Sequence, residues 1–215
     1  MASTSDELFA AIEAGDTDRV RALVADDPAC ARSRDAEGVS ALLRARYRLD
    51  DAMIEAIRPH AGDLDVFEAA TFGDVAGLAE VLRGDPSLAG ASTGDGFTAL
   101  HLAAFFDGAG AASALLDAGA DPDAHGTGWM TGTALNSAAA ARNLPVAEVL
   151  LAAGADPGAR QGQGWTPLHS AAHNGDVAMI AALRAAGADP SRTNDDGRSA
   201  ADLATNAEVR ANLVG

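Results

Sequence analysis

Lysine is absent from this chain, cysteine occurs once and aromatic residues are few, and each shortage narrows the possibilities. The single Cys30 cannot build an internal disulfide framework and suits a reducing compartment, so a cytoplasmic location is expected. Two Trp, one Tyr and six Phe among 215 residues accompany an apolar fraction of 48%, the balance favoured where short helices pack closely through Ala, Leu and Val. No apolar run approaches the ~20 residues that span a bilayer, so no membrane partner is expected. Residues 1–13 carry neither the basic nor the apolar segment of a secretory leader. Positive charge is also scarce, with 15 Arg against 31 acidic residues and a net charge of −16. Of that, −4 falls on residues 1–62 and −12 on residues 63–215. Nucleic-acid binding rests on neutralising phosphates, so nucleic acid is not an expected partner. Arg44, Arg46 and Arg48 form the one tight basic run, and it reads as a solvated helix face.

What the chain does contain is a period. Thr98-Ala99-Leu100-His101 returns as Thr133-Ala134-Leu135-Asn136, Thr166-Pro167-Leu168-His169 and Ser199-Ala200-Ala201-Asp202, at steps of 35, 33 and 33 residues. Weaker copies start at Ser40, Leu64 and Asp6, which makes about seven units with one short step of 24 residues after the second. A fixed period of this length marks a stacked solenoid. Within a unit, Thr or Ser can cap a short Ala-rich helix. A turn such as Gly175-Asp176 leads to a second helix with Val146, Val149, Leu150 and Leu151 at helical spacing. That helix stops at Gly119, Gly154 or Gly187, each followed by Ala-Asp-Pro.

Residues 166–176 and Ala185-Ala186-Gly187-Ala188-Asp189-Pro190 resemble the ankyrin repeat. The resemblance is strong over residues 94–204 and rests on phase and turns over residues 5–93. It implies an all-α solenoid of helix–turn–helix units with projecting hairpin loops and degenerate terminal caps. The expected organisation is two degenerate N-terminal repeats in 1–62 that could act as a cap, a continuous stack of ankyrin repeats over 63–204 and a C-terminal cap helix in 205–215. His101 and His169 sit at a motif position that, by the resemblance, braces neighbouring hairpins through hydrogen bonds. Asn136 and Asp202 at the same phase suit a polar brace and not a metal site. His60 and His125 have no second ligand at a recognisable spacing, so no metal and no cofactor are expected. Gly94-Asp95-Gly96, Gly126-Thr127-Gly128 and Gly162-Gln163-Gly164 recur between units and read as hairpins rather than phosphate loops. No catalytic signature is present.

Counting from the capping Thr or Ser, positions eight and nine close the first helix and, by the resemblance, face the concave groove. Phe72, Phe105, Phe106, His173 and Asn174 fall there, along with Tyr47 and Arg48. Phe97 and Trp165 precede the cap at hairpin bases, and Trp129 lies in a hairpin two residues longer than its counterparts. Phe9 and Phe67 fall at position four and are expected to pack internally. The expected function is a non-catalytic scaffold that binds a protein or peptide, with a basic partner edge matching the acidic surface. A second reading is a small-molecule binder or cofactor-free enzyme using the same groove, with His173 as general base. A third is a purely structural spacer with no binding residues, in which most of these aromatics pack between repeats.

Overall fold

The computed structural model describes residues 3–106, 108–127 and 131–214. Seven helix pairs follow one another among these residues. They are α1 (Thr4–Ala14) with α2 (Thr17–Asp26), α3 (Ala41–Tyr47) with α4 (Asp51–Ile57), and α5 (Val66–Thr71) with α6 (Val75–Gly84). Next come α7 (Ala99–Phe105) with α8 (Ala109–Asp117), α9 (Ala134–Ala141) with α10 (Leu144–Ala152), and α11 (Pro167–Asn174) with α12 (Val177–Ala185). The last pair is α13 (Ala200–Leu203) with α14 (Ala207–Val214). First helices pack on first helices from α1 to α13, and second helices pack on second helices from α2 to α4 and again from α6 to α14. This is the all-α solenoid that the period predicts.

Most of these helices start where a side chain accepts backbone N–H groups that the helix cannot satisfy itself. Ser3, Ser40, Asp65, Thr98, Thr133, Thr166 and Ser199 cap the first helices. The starts expected at Asp6 and Leu64 therefore shift to Ser3 and Asp65. Leu64 has no acceptor to offer, whereas Asp65 takes the N–H groups of Phe67 and Glu68. In the corrected register Phe9 and Phe67 stand at positions seven and three. Both still pack against buried clusters, as expected of internal residues. Asp16, Asp50, Asp74, Asn143 and Asp176 cap second helices.

The units are tied to one another by polar groups. Thr98 Oγ1 donates to His101 Nδ1 (2.7 Å), and His101 Nε2 donates across to the Gly132 carbonyl of the next hairpin (2.9 Å). His169 repeats the pattern with Thr166 (2.8 Å) and the Arg198 carbonyl (3.1 Å). Asn136 does so with Thr133 and the Ala159 carbonyl. In the second pair Leu43 occupies this position, and there Ser40 Oγ donates to the buried Glu68 carboxylate of the third pair (2.6 Å). His101 and His169 thus each bond a carbonyl of the following hairpin.

The core is divided. One buried cluster joins α1 to α4 and contains Leu8, Val20, Leu42, Met53 and Ile57. A second runs from Val66 to Leu213. The division falls at the short step in the repeat period, between Ile57 and Val66.

Both bracing histidines are buried, and burial lowers their pKa below the usual histidine value; the carbonyl each one donates to pulls the other way. The fold therefore holds neutral imidazoles. As pH falls through the ordinary histidine range, about 6.5, the unfolded chain takes up protons that the folded chain refuses. Stability is full above that value and should fall as pH drops below it. His101→Ala and His169→Ala should each cost ~1–3 kcal/mol in denaturant melts at neutral pH. Exchange of both for Asn, which copies Asn136, should preserve more stability and flatten the acid-side loss. A parental acid slope in that double variant would contradict the neutral-imidazole assignment.

Candidate functional site

The short step shapes the surface of the inner helix row. Between α4 and α5 the chain makes one 3-10 turn, Arg58–His60, and no paired hairpin. The hairpin before α7, closed by the Thr93 N–H on the Phe97 carbonyl, consequently packs on the hairpin before α3, closed by Asp35 on Val39. The approach is close enough that a Cβ on Gly94 would lie 1.6 Å from the Glu37 carbonyl oxygen. Arg44 clamps the two hairpins by donating to Asp35 (2.6 Å), to Glu37 and to Asp95 (3.2 Å). Beneath the clamp, Val39, Leu43, Phe97 and Leu102 form a third buried cluster, with Tyr47, Phe67 and Phe106 packed against it.

On the exposed side of this cluster lies a hollow of about 130 Å³. Phe97, His101, Leu102 and Ser137 are its buried walls, Tyr47 and Phe106 are half-buried, and Phe105 stands at the rim with 41% of its surface exposed. Phe106 lies parallel to Tyr47 (centroids 6.4 Å apart) and meets Phe105 edge to face at 5.0 Å. Tyr47 in turn contacts Phe97 at 6.0 Å. These offset and edge contacts add to the rings' burial. The Tyr47 hydroxyl is buried without a hydrogen bond, and burial, reinforced by Asp95, pushes the phenol well above its ordinary range.

The expected solvated face of the basic run is not what the structure has. Arg44 is the hairpin clamp, and Arg48 donates to the Glu13 carbonyl (2.9 Å). Arg46 lies between two rings, 4.8 Å from the centre of Phe106 and 5.6 Å from that of Phe72. Arg58 lies 4.8 Å from the same Phe72 ring. Guanidinium groups placed so are drawn by the ring quadrupole and are less strongly hydrated than ammonium groups.

The expected site residues separate into two places. Phe97, Phe105 and Phe106 meet at the hollow, with Phe72 beside it through Arg46. Phe97 is buried, so it is a wall of the hollow and not an exposed anchor. Phe72 is half-buried and packs on the α1–α4 cluster, so it too is not a free groove side chain. Trp165 forms a second group, 5.7 Å from the exposed ring of His173 and 6.1 Å from His169. His173 does not line the hollow, and its ring has no hydrogen bond among the described residues. The Asn174 amide is committed to the Ala139 and Ala140 carbonyls at the end of α9 (both 3.1 Å), a structural role. Trp129 lies outside the described residues. The longer hairpin that carries it is seen at its base: Gly126 bonds Gly132 six residues on, whereas Gln161 bonds Trp165 four residues on. Sequence reasoning missed Arg46 and Arg58. The missing hairpin was the signal, because it brings the turn holding Arg58 to the Phe72 ring.

Helix pairs stacked in two rows, with hairpins bonded to the polar residue of the preceding cap, define a helical repeat scaffold. Two family models match: one described as ankyrin repeats (many copies) over residues 135–184, the other as ankyrin repeat over residues 95–126. The chain carries ankyrin repeats, and such repeats are in general scaffolds for protein–protein interaction. No curated protein matches the chain.

Two substitutions test the closed hairpin. Gly94→Ala should lower the melting midpoint sharply, since a backbone oxygen occupies the space of the new methyl group. Gly84→Ala, at a helical site with no atom within 4 Å, should leave it unchanged or raise it by up to ~1 kcal/mol of stability. Equal melts for the two variants would mean that the two hairpins do not touch.

Proposed function

We propose that the chain is a non-catalytic scaffold that binds a protein or peptide, and that the hollow takes one bulky apolar side chain of the partner. The observation that carries this reading is Phe105, a large ring left exposed at the rim of an aromatic recess. Among the described Phe, Tyr and Trp residues it is the exposed one, the others being buried or half-buried. Aromatic anchors in a recess supply much of the energy of protein interfaces. The recess is about as large as an apolar cavity of about 150 Å³ that holds benzene, so a single branched or aromatic group fits it. The net charge of −16 favours, at long range, a partner with a basic edge. The second reading, a small apolar molecule as the natural ligand, draws on the same dimensions.

Selection of random displayed peptides on the immobilised full-length chain tests the proposal, with Phe105→Ala as the counter-target. Enriched peptides should share a bulky apolar residue and lose binding by tenfold or more on Phe105→Ala. Its melt should stay near the parent's, because a half-exposed ring leaves little cavity. Phe97→Ala should instead cost ~3–5 kcal/mol as a buried ring. Peptides that bind Phe105→Ala as well as the parent would move the interface off this face. Enrichment of none, with tight capture of small apolar compounds, would favour the second reading.

A further inference from the structure

Two guanidinium groups lie near the hollow, Arg46 against its Phe106 wall and Arg58 against the neighbouring Phe72, without a hydrogen-bond acceptor among the described residues. The Arg46 Nε and Arg58 Nη1 atoms are buried and make no hydrogen bond. Arg58 has no ion pair among the described residues. Among the described residues the carboxylate paired with Arg46 is that of Asp51, 3.9 Å away, beyond hydrogen-bond reach and on a side chain 89% exposed. By contrast, Arg44 on the same helix holds three carboxylates. In a chain with two acidic residues for each basic one, such a pair is an anomaly. Buried donors of a charged group that lack acceptors are costly and call for a missing one. Both groups are also positioned. Both contact the Phe72 ring, and Phe106, which lines the hollow, also holds Arg46. Arg46 keeps 25% of its side chain open to solvent, so it is reachable.

We infer that Arg46 and Arg58 form a carboxylate-binding site beside the apolar hollow. The segment recognised there is a peptide in which an Asp or Glu carboxylate adjoins a bulky apolar side chain. This rests on the reading of the hollow as an anchor site and adds the second half of the recognition. Guanidinium groups take carboxylates through two parallel N–H bonds, and desolvation beside aromatic rings strengthens such bonds. A multiply charged phosphate is disfavoured, because the remainder of the chain carries strong negative charge. The partner is thus of mixed charge: basic at its edges, where the acidic scaffold attracts it, and acidic at one point in the groove.

The test uses the full chain and three probes: 4-phenylbutyrate, its neutral amide 4-phenylbutyramide, and inorganic phosphate. Binding is followed by the NMR resonances of the Arg46 and Arg58 Nε–H groups and the Phe106 ring. The acid should bind at least about tenfold tighter than the amide and shift all three sets of signals. R46Q and R58Q should each reduce that preference severalfold while amide binding persists. Equal binding of acid and amide would overturn the carboxylate site and leave the apolar anchor standing. Phosphate matching the acid would overturn it as well, since the site would then read charge alone. A preference that survives both substitutions would place the recognition elsewhere. Should either variant fail to fold, the three-probe comparison on the parent chain still decides the matter. Failure of both phenyl probes to bind overturns the site, while the peptide selection judges the anchor separately.

Discussion

No helix pair in this chain can satisfy its own backbone. The helices are four to eleven residues long, so terminal N–H and C=O groups make up a large share of each one. The missing partners come from the neighbouring pair. His101, Asn136 and His169 reach the carbonyls of the following hairpin. Asn143 and Asn174 reach back to the carbonyls that end the preceding first helix. Apolar packing repeats the same dependence, because α8 buries only Ala111, Ala112 and Leu115. A single pair would be a poor helix former with an exposed apolar side, and the stack is what makes each pair stable.

The aromatic hollow follows from a departure from this regularity. Omission of one hairpin lets two others meet that a uniform stack would hold a repeat apart. Their contact buries Phe97 and Leu102 against Val39 and Leu43, and it leaves the hollow where α3, α7 and α9 cannot fill the space between them. The same shortened connection sets Arg58 against Phe72. Recess, ring column and paired guanidiniums therefore share one origin, and no separate feature of the sequence is needed for each.

The period was legible because cap chemistry and turn chemistry recur together. Thr98, Thr133, Thr166 and Ser199 each begin a helix where the spacing puts them. The first and third units were legible only to within a few residues. Apolar phase alone does not say which side chain accepts the first free N–H groups, and Ser3 and Asp65 do so. The aromatic site was legible in part. Position eight correctly marked Phe105 as a surface ring, yet the same position in another unit holds Phe72, which packs inward on the first cluster. Whether such a ring is exposed depends on which hairpin lies next to it, and that is a property of the stack rather than of the unit. Arg46 was hidden for a related reason, since its ring neighbours are 26 and 60 residues away in sequence.

The divided core has a further consequence for how the protein opens. Helices α1–α4 share one apolar cluster and the later pairs another, so the join between them is where cooperativity is weakest. Across that join run the third cluster, the Ser40–Glu68 bond and the ion pairs Arg34–Asp65 and Arg44–Asp95. The recess lies over the same seam, walled by Tyr47 from one side and by Phe97 and Phe106 from the other. A ligand held there would add a further tie across that join. Occupancy would be felt as slowed amide exchange in α1–α4, far beyond the residues the ligand touches, which turns a local contact into a gauge of the order of the whole N-terminal block.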